Sequence, residues 1–140
     1  MGAAGLEHSV QINIINEHPE WLASLGQELD RLGVRWGEHF VDEGSIALND
    51  SPPAGVFFNR MSASSPSRGH HSSIAHTREL LAYLELHGRR VINGGRAFAL
   101  EMSKVRQHAA LKAAGFDVPA TIAVSGGQEA VRAAGRRAVE

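Results

Sequence analysis

Short segments rich in β-branched and aromatic residues alternate with helical segments along the whole chain of 140 residues. The strand-like segments are residues 9–16, 34–41, 55–59, 91–92 and 121–124. The helical segments are residues 19–32, 74–87, 96–114 and 128–139. Strands that alternate with helices form parallel sheets with right-handed crossovers, so the pattern predicts an α/β fold with an open, mostly parallel sheet and flanking helices.

Local signals set the expected ends and faces of these elements. Pro19 suits the first position of a helix, and Gly33, Gly88 and Gly115 are helix stops. Ser103 is expected to cap the second half of the helix at 96–114. The residues expected to face the core from the first two helices are Leu22, Leu25, Leu29, Leu32, Ile74, Leu80, Leu81 and Leu84.

Strand 34–41 carries aromatic and titratable side chains together. We expect Trp36 and Phe40 to share one face, with Glu38 and His39 at the exposed end of the strand. The next strand, residues 55–59, is apolar up to Asn59 at its end, which is typical of the centre of a parallel sheet covered on both faces.

Composition limits the class of protein. Hydrophobic residues make up 43% of the chain, enough for a core, and the net charge of −1 gives no basic footprint for nucleic acid. The chain has no cysteine, which excludes disulfides and thiolate chemistry. No apolar run approaches the roughly 20 residues that span a bilayer, and the start lacks a secretory signal, so we expect a cytoplasmic protein with no membrane partner.

An ordered set of residues between about 55 and 125 resembles a known family. Upstream, residues 57–62 read FFNRMS; the later matches are Val91-Ile92-Asn93, Ser103-Lys104, Leu111, Ala114-Gly115, Val118-Pro119 and Thr121. This order resembles the entry to the ATP-grasp fold, closest to the RimK-type carboxylate–amine ligases and the glutathione synthetase-like enzymes. One position departs from the pattern, because Ser103 stands where the family often has Asp.

The resemblance implies a domain organisation and cofactors. It divides the chain into a loose arm (1–8), a pre-ATP-grasp-like α/β domain (9–95), and a linker helix, strand and helix (96–140) that lead into a grasp domain. The implied cofactors are ATP and Mg²⁺, and in such ligases the lysine at the place of Lys104 contacts nucleotide phosphate. The start of a helix favours an anion, and lysine suits phosphate as a compact point charge. A solvated surface lysine is the simpler interpretation.

Three residues near strand ends are candidates for substrate binding. Arg60 and Ser62 follow strand 55–59, and Asn93 follows strand 91–92. Ligands of open α/β sheets bind at the carboxyl ends of the strands, and a guanidinium there can hold a carboxylate with two hydrogen bonds. Ordinary loop and turn roles are the alternatives for all three.

A metal site, a serine hydrolase site and a carboxylate pair are less favoured. His70, His71 and His76 lie close in sequence, but their spacing does not match the i, i+4 pairing of a helical zinc site. No G-x-S-x-G elbow of a serine hydrolase is present. Asp42 and Glu43 are interpreted as solvated carboxylates without a matched partner.

The leading hypothesis is the N-terminal portion of an ATP-grasp ligase, inactive alone, that needs a missing C-terminal grasp domain or a partner chain. The whole assembly would join an amine to a carboxylate of a small molecule or peptide. The alternative is a stand-alone α/β binding or interaction module without catalysis, possible as a homodimer through the last helix. A receiver or flavodoxin-like domain is disfavoured, since the strand ends carry Asn16, Asn59 and Asn93 instead of an acidic cluster.

The chain alone is expected to show no magnesium-dependent ATP hydrolysis with any amino acid supplied. Phosphoryl transfer depends on a complete set of positioned charges, and the sequence to residue 140 offers only part of that set. A phosphate-release assay checks this. Turnover that disappears in Lys104→Ala would show the expectation to be wrong.

Overall fold

The computed structural model describes residues 11–137. The chain divides into two compact units, with the boundary between Met102 and Ser103. The arm predicted at 1–8, the first residues of strand 9–16 and the last residues of helix 128–139 lie outside the described residues.

The first unit is built on a four-stranded, all-parallel sheet with strand order β2-β1-β3-β4. The strands are β1 (Ile12–Asn16), β2 (Trp36–Phe40), β3 (Val56–Asn59) and β4 (Arg90–Ile92). Ile15 of β1 is in register with His39 of β2 and with Asn59 of β3. The predicted open parallel α/β fold is therefore confirmed, and residues 55–59 are a central strand as expected.

Helices cover both faces of this sheet. A 3-10 turn (Pro19–Leu22) leads into α1 (Ala23–Arg31), and α2 (Ser73–Leu86) and α3 (Gly95–Glu101) follow β3 and β4. The main core contains Ile15 and Phe57 from the sheet, Leu81 and Leu84 from α2, and Phe98 from α3. Side chains alternate across a strand, and His39 of β2 faces this core. Trp36, three residues earlier, therefore points to the opposite face, where it lies against Gly26 of α1.

The second unit contains α4 (Lys104–Ala113) and α5 (Gln128–Arg137). Ser103 caps α4 as predicted, since its Oγ accepts a hydrogen bond of 3.2 Å from the Arg106 backbone N–H. The predicted strand at 121–124 is wrong. That segment pairs with no described strand, and Ile122 and Val124 are exposed. A β-rich sequence becomes a strand only when a neighbouring strand pairs with it, and sequence alone does not supply that neighbour.

Of the eight core positions predicted on the first two helices, three are buried, four are half-buried and one is exposed. Leu22, Leu81 and Leu84 are buried, whereas Leu32 at the end of α1 is exposed. His39 is half-buried instead of lying at an exposed strand end, because it points to the core face and packs at 5.6 Å from the Phe57 ring. No described helix has the length and apolar character needed to cross a membrane.

The close approach of β1 and β3 requires glycine at position 55. Gly55 has φ +121°, and a Cβ there would lie 2.3 Å from the backbone oxygen of Gln11. We expect Gly55→Ala to destabilise the protein by about 2–5 kcal/mol, from steric overlap added to an unfavourable backbone conformation. Urea unfolding measures this cost.

Gly69→Ala is the matched control, since Gly69 has φ +92° but a Cβ added there would meet no atom within 4 Å. This substitution should destabilise the protein by about 1–2 kcal/mol, from the unfavourable backbone conformation alone. Equal costs for the two variants would contradict the steric explanation.

Candidate functional site

The carboxyl ends of β3 and β4 are joined by a reciprocal pair of hydrogen bonds. The Asn59 side-chain amide donates to the Asn93 backbone oxygen at 3.0 Å, and the Asn93 amide donates to the Asn59 backbone oxygen at 3.2 Å. Asn93 has φ +56°, and Asn is one of the few residues with a side chain that adopts this left-handed conformation readily. The two strand ends are thereby fixed relative to each other.

A cavity of about 400 Å³ opens beside this pair, at the edge where ligands of parallel sheets bind. Arg60 and Asn93 both line it, together with Phe98 and Glu101 of α3. The Arg60 side chain is exposed, and its guanidinium carbon lies 5.8 Å from the centre of the Phe58 ring. The structure therefore brings two of the three predicted substrate-binding residues together in one cavity.

Ser62, the third predicted substrate residue, does not line this cavity. Its backbone N–H donates to Glu17 Oε2 at 3.3 Å, and its hydroxyl lies 2.9 Å from the Ser64 hydroxyl. It belongs to the serine-rich loop, residues 60–72, which contains a 3-10 turn at Ser65–Arg68. In this structure Ser62 helps to anchor that loop.

A buried ion pair fastens the serine-rich loop to the centre of the sheet. The Glu17 carboxylate, 1% exposed at the end of β1, pairs with the Arg68 guanidinium. The same guanidinium donates to Ser64 Oγ at 2.8 Å and lies 4.7 Å from the Trp21 ring, on which His18 stacks. The sequence interpretation missed this pair. The only signal for the pair in the sequence is that Glu17, a charged residue, directly follows a β-rich segment.

Lys104 occupies the first position of α4, as predicted from the Ser103 cap. It is exposed, and its Nζ donates to Gln107 Oε1 at 3.0 Å, one turn along the same helix. The structure places the lysine at a helix start, where free N–H groups favour an anion. Its assignment to nucleotide phosphate stays a prediction.

The interpretation of Asp42 as a solvated carboxylate is wrong. Asp42 Oδ2 lies 2.7 Å from His70 Nδ1, and both side chains are largely buried. The Asp42 backbone oxygen also accepts from Ser72 Oγ at 2.7 Å. Long-range contacts between a strand end and a distant loop cannot be read from local sequence. Among the described residues, no group of three or more potential metal-ligating side chains was found.

A second cavity, of about 290 Å³, lies beside residues 42–53, the loop between β2 and β3. His39 and His76 line it, and neither was assigned a role from the sequence. Burial lowers the pKa of His39 below its ordinary value, because the protonated ring loses hydration. Burial therefore favours the neutral ring, which can accept a hydrogen bond through one nitrogen.

No protein-family model and no curated protein matches the chain. Function is therefore inferred from the placement and chemistry of the residues at the two cavities. The first cavity is lined by the Arg60 guanidinium, next to the fixed ends of β3 and β4. The second is lined by the His39 imidazole, next to apolar side chains.

Removal of the buried carboxylate tests how strongly the serine-rich loop depends on it. We expect Glu17→Gln to destabilise the protein by about 3 kcal/mol, because it leaves the partly buried Arg68 guanidinium without its charge partner. Urea unfolding gives the change in the free energy of unfolding.

The control is Glu28→Gln, which breaks the exposed Glu28–Arg31 pair on α1 and should have little effect. If both variants lose the same stability, the burial of Glu17 is not what makes its ion pair important.

Proposed function

We propose that this chain is the N-terminal portion of an ATP-dependent carboxylate–amine ligase of the ATP-grasp type. In this proposal the cavity beside Arg60 holds the carboxylate substrate. The observation that supports it best is the presence of Arg60 and Asn93 in one cavity at the carboxyl edge of a parallel sheet. A cytoplasmic location belongs to the same proposal.

Arg60 is the lining residue that suits a carboxylate, whereas Glu101 on the α3 side of the cavity carries like charge. A guanidinium presents paired N–H donors that match the two oxygens of a carboxylate. The Phe58 ring lies near the guanidinium of Arg60 and limits its freedom, which lowers the entropy lost on binding. The side-chain amide of Asn93 is already bonded to Asn59, so Asn93 shapes the cavity and Arg60 carries the charge that attracts the ligand.

The proposed reaction is the one that defines such ligases. The γ-phosphoryl group of ATP would be transferred to the bound carboxylate with release of ADP, and the amine would then attack the acyl phosphate, form the amide and displace inorganic phosphate. Lys104 would contact nucleotide phosphate at the start of α4. A grasp domain or partner chain would supply the rest of the nucleotide clamp and the ligands of Mg²⁺.

The alternative is a binding or interaction module of the same fold that does not use nucleotide. The bond from Lys104 Nζ to Gln107 favours it, because the lysine already has a partner within its own helix. Association of two copies through α5 belongs to this alternative. Both proposals use the cavity beside Arg60, and they differ in whether ATP binds.

Titration of the ¹⁵N-labelled chain with glutarate tests the carboxylate site. We expect amide signals of residues 58–61 and 93–98 to shift, and Arg60→Gln to weaken binding by about 10- to 100-fold through loss of a charge-assisted hydrogen bond. Arg78→Gln, which removes an equal charge from an exposed position on α2, is the control and should bind as the wild type does.

A second titration with magnesium and ATP separates the two proposals. Shifts around residues 103–107 that are lost in Lys104→Ala support the ligase. Glutarate binding without any response to ATP supports the binding module. Equal weakening by Arg60→Gln and Arg78→Gln would contradict both, because the effect would then be one of net charge.

A further inference from the structure

The second cavity has a buried apolar floor. Phe57, Val41 and Leu84 form this floor and are at most 1% exposed, so the apolar surface that a ligand can reach belongs to the half-buried Ile46 and Leu80 and the exposed Phe40, which also line the cavity. The ring of His39 packs against Phe57 at the same place. The apolar lining of this cavity would therefore bind an uncharged, hydrophobic part of a ligand.

Side chains outside the loop hold its backbone in place. Ser72 donates to the Asp42 oxygen at 2.7 Å, and Tyr83 donates to the Ala47 oxygen at 3.1 Å. Arg89 Nε donates to the Pro53 oxygen at 3.0 Å. Three side chains from α2 and its flanks thus fix the start, middle and end of the loop, and the cavity is formed without a ligand.

The polar groups that line the cavity favour a cation. Glu43 and Asp50 are exposed at its rim, and none of the described residues that line it is lysine or arginine. The neutral ring of His39 offers a nitrogen acceptor, and His76 approaches the loop at Gly44. An ammonium group would meet two carboxylates and hydrogen-bond acceptors, whereas a carboxylate would meet like charge.

We propose that this cavity binds a small primary amine with an aromatic body, an arylalkylamine. The ring would lie against Ile46 and Leu80, and the ammonium would face Glu43 and Asp50. The site is separate from the cavity beside Arg60 and shares no lining residue with it. The inference does not depend on the proposed ligase, and either can fail without the other.

The test is an NMR titration of the ¹⁵N-labelled full chain with phenethylamine, and with 3-phenylpropanoate as a comparator that carries the opposite charge on a similar body. We expect saturable shifts at residues 39–47 and 76–84 with the amine. The acid should bind there at least about tenfold more weakly, because like charges at a site oppose binding. His39→Phe keeps an aromatic ring but loses the acceptor, and should weaken the amine alone.

Glu43→Gln should weaken the amine by about two- to fivefold, the range for an exposed charge pair. Glu79→Gln is the matched control, since Glu79 is an exposed carboxylate of α2 that does not line the cavity, and it should leave affinity unchanged. Equal binding of amine and acid, equal effects of the two glutamate variants, or no saturable shift at these residues would overturn the proposal.

Discussion

The buried ion pair between Glu17 and Arg68 is the interaction on which the arrangement of the strand ends depends. It joins the end of the central strand β1 to a residue 51 positions later in the chain. A carboxylate that is 1% exposed is stable only when its charge and hydrogen-bond needs are met, so the serine-rich loop must return to the sheet. That loop begins at Arg60, whose backbone N–H donates to the Ile15 oxygen at 2.8 Å. The loop is thereby fixed at its start by the hydrogen bond of Arg60 to the sheet and further along by the ion pair of Arg68.

The fold could be predicted from sequence because its signals are local. The spacing of leucines, the cap at Ser103 and the glycine stops depend on neighbours within one or two helical turns, and apart from the exposed Leu32 the structure has them where they were expected. The failures share a different cause. Residues 121–124 needed a pairing strand, and Asp42 needed to be known as a neighbour of His70, 28 positions away. Contacts between distant segments decide such cases, and a single sequence does not state them.

The candidate sites, too, contain some residues whose placement follows from local sequence rules and others whose placement depends on distant contacts. Arg60 and Asn93 line one cavity as expected, because the carboxyl ends of parallel strands meet at one edge, a rule that needs only the order of elements. Their role in binding a substrate stays a prediction. His39 was misplaced because the face of an edge strand follows from its register, here set by pairing with Ile15. Glu17 and Arg68 were missed because nothing in their local sequence pairs them. Polar residues thus acquire their roles from tertiary placement more than apolar ones do.

The reciprocal hydrogen bonds between Asn59 and Asn93 restrict which substitutions the first cavity can accept during evolution. Position 93 must satisfy two requirements at once, a left-handed backbone and an amide that donates across the strand ends. Glycine meets only the first requirement, and glutamine has the amide but not the short side chain that tolerates the left-handed region. Few substitutions therefore preserve this corner, whereas the exposed Arg60 beside it is far less restricted by packing. Ligand preference can thus diverge at position 60 on a frame that position 93 keeps unchanged.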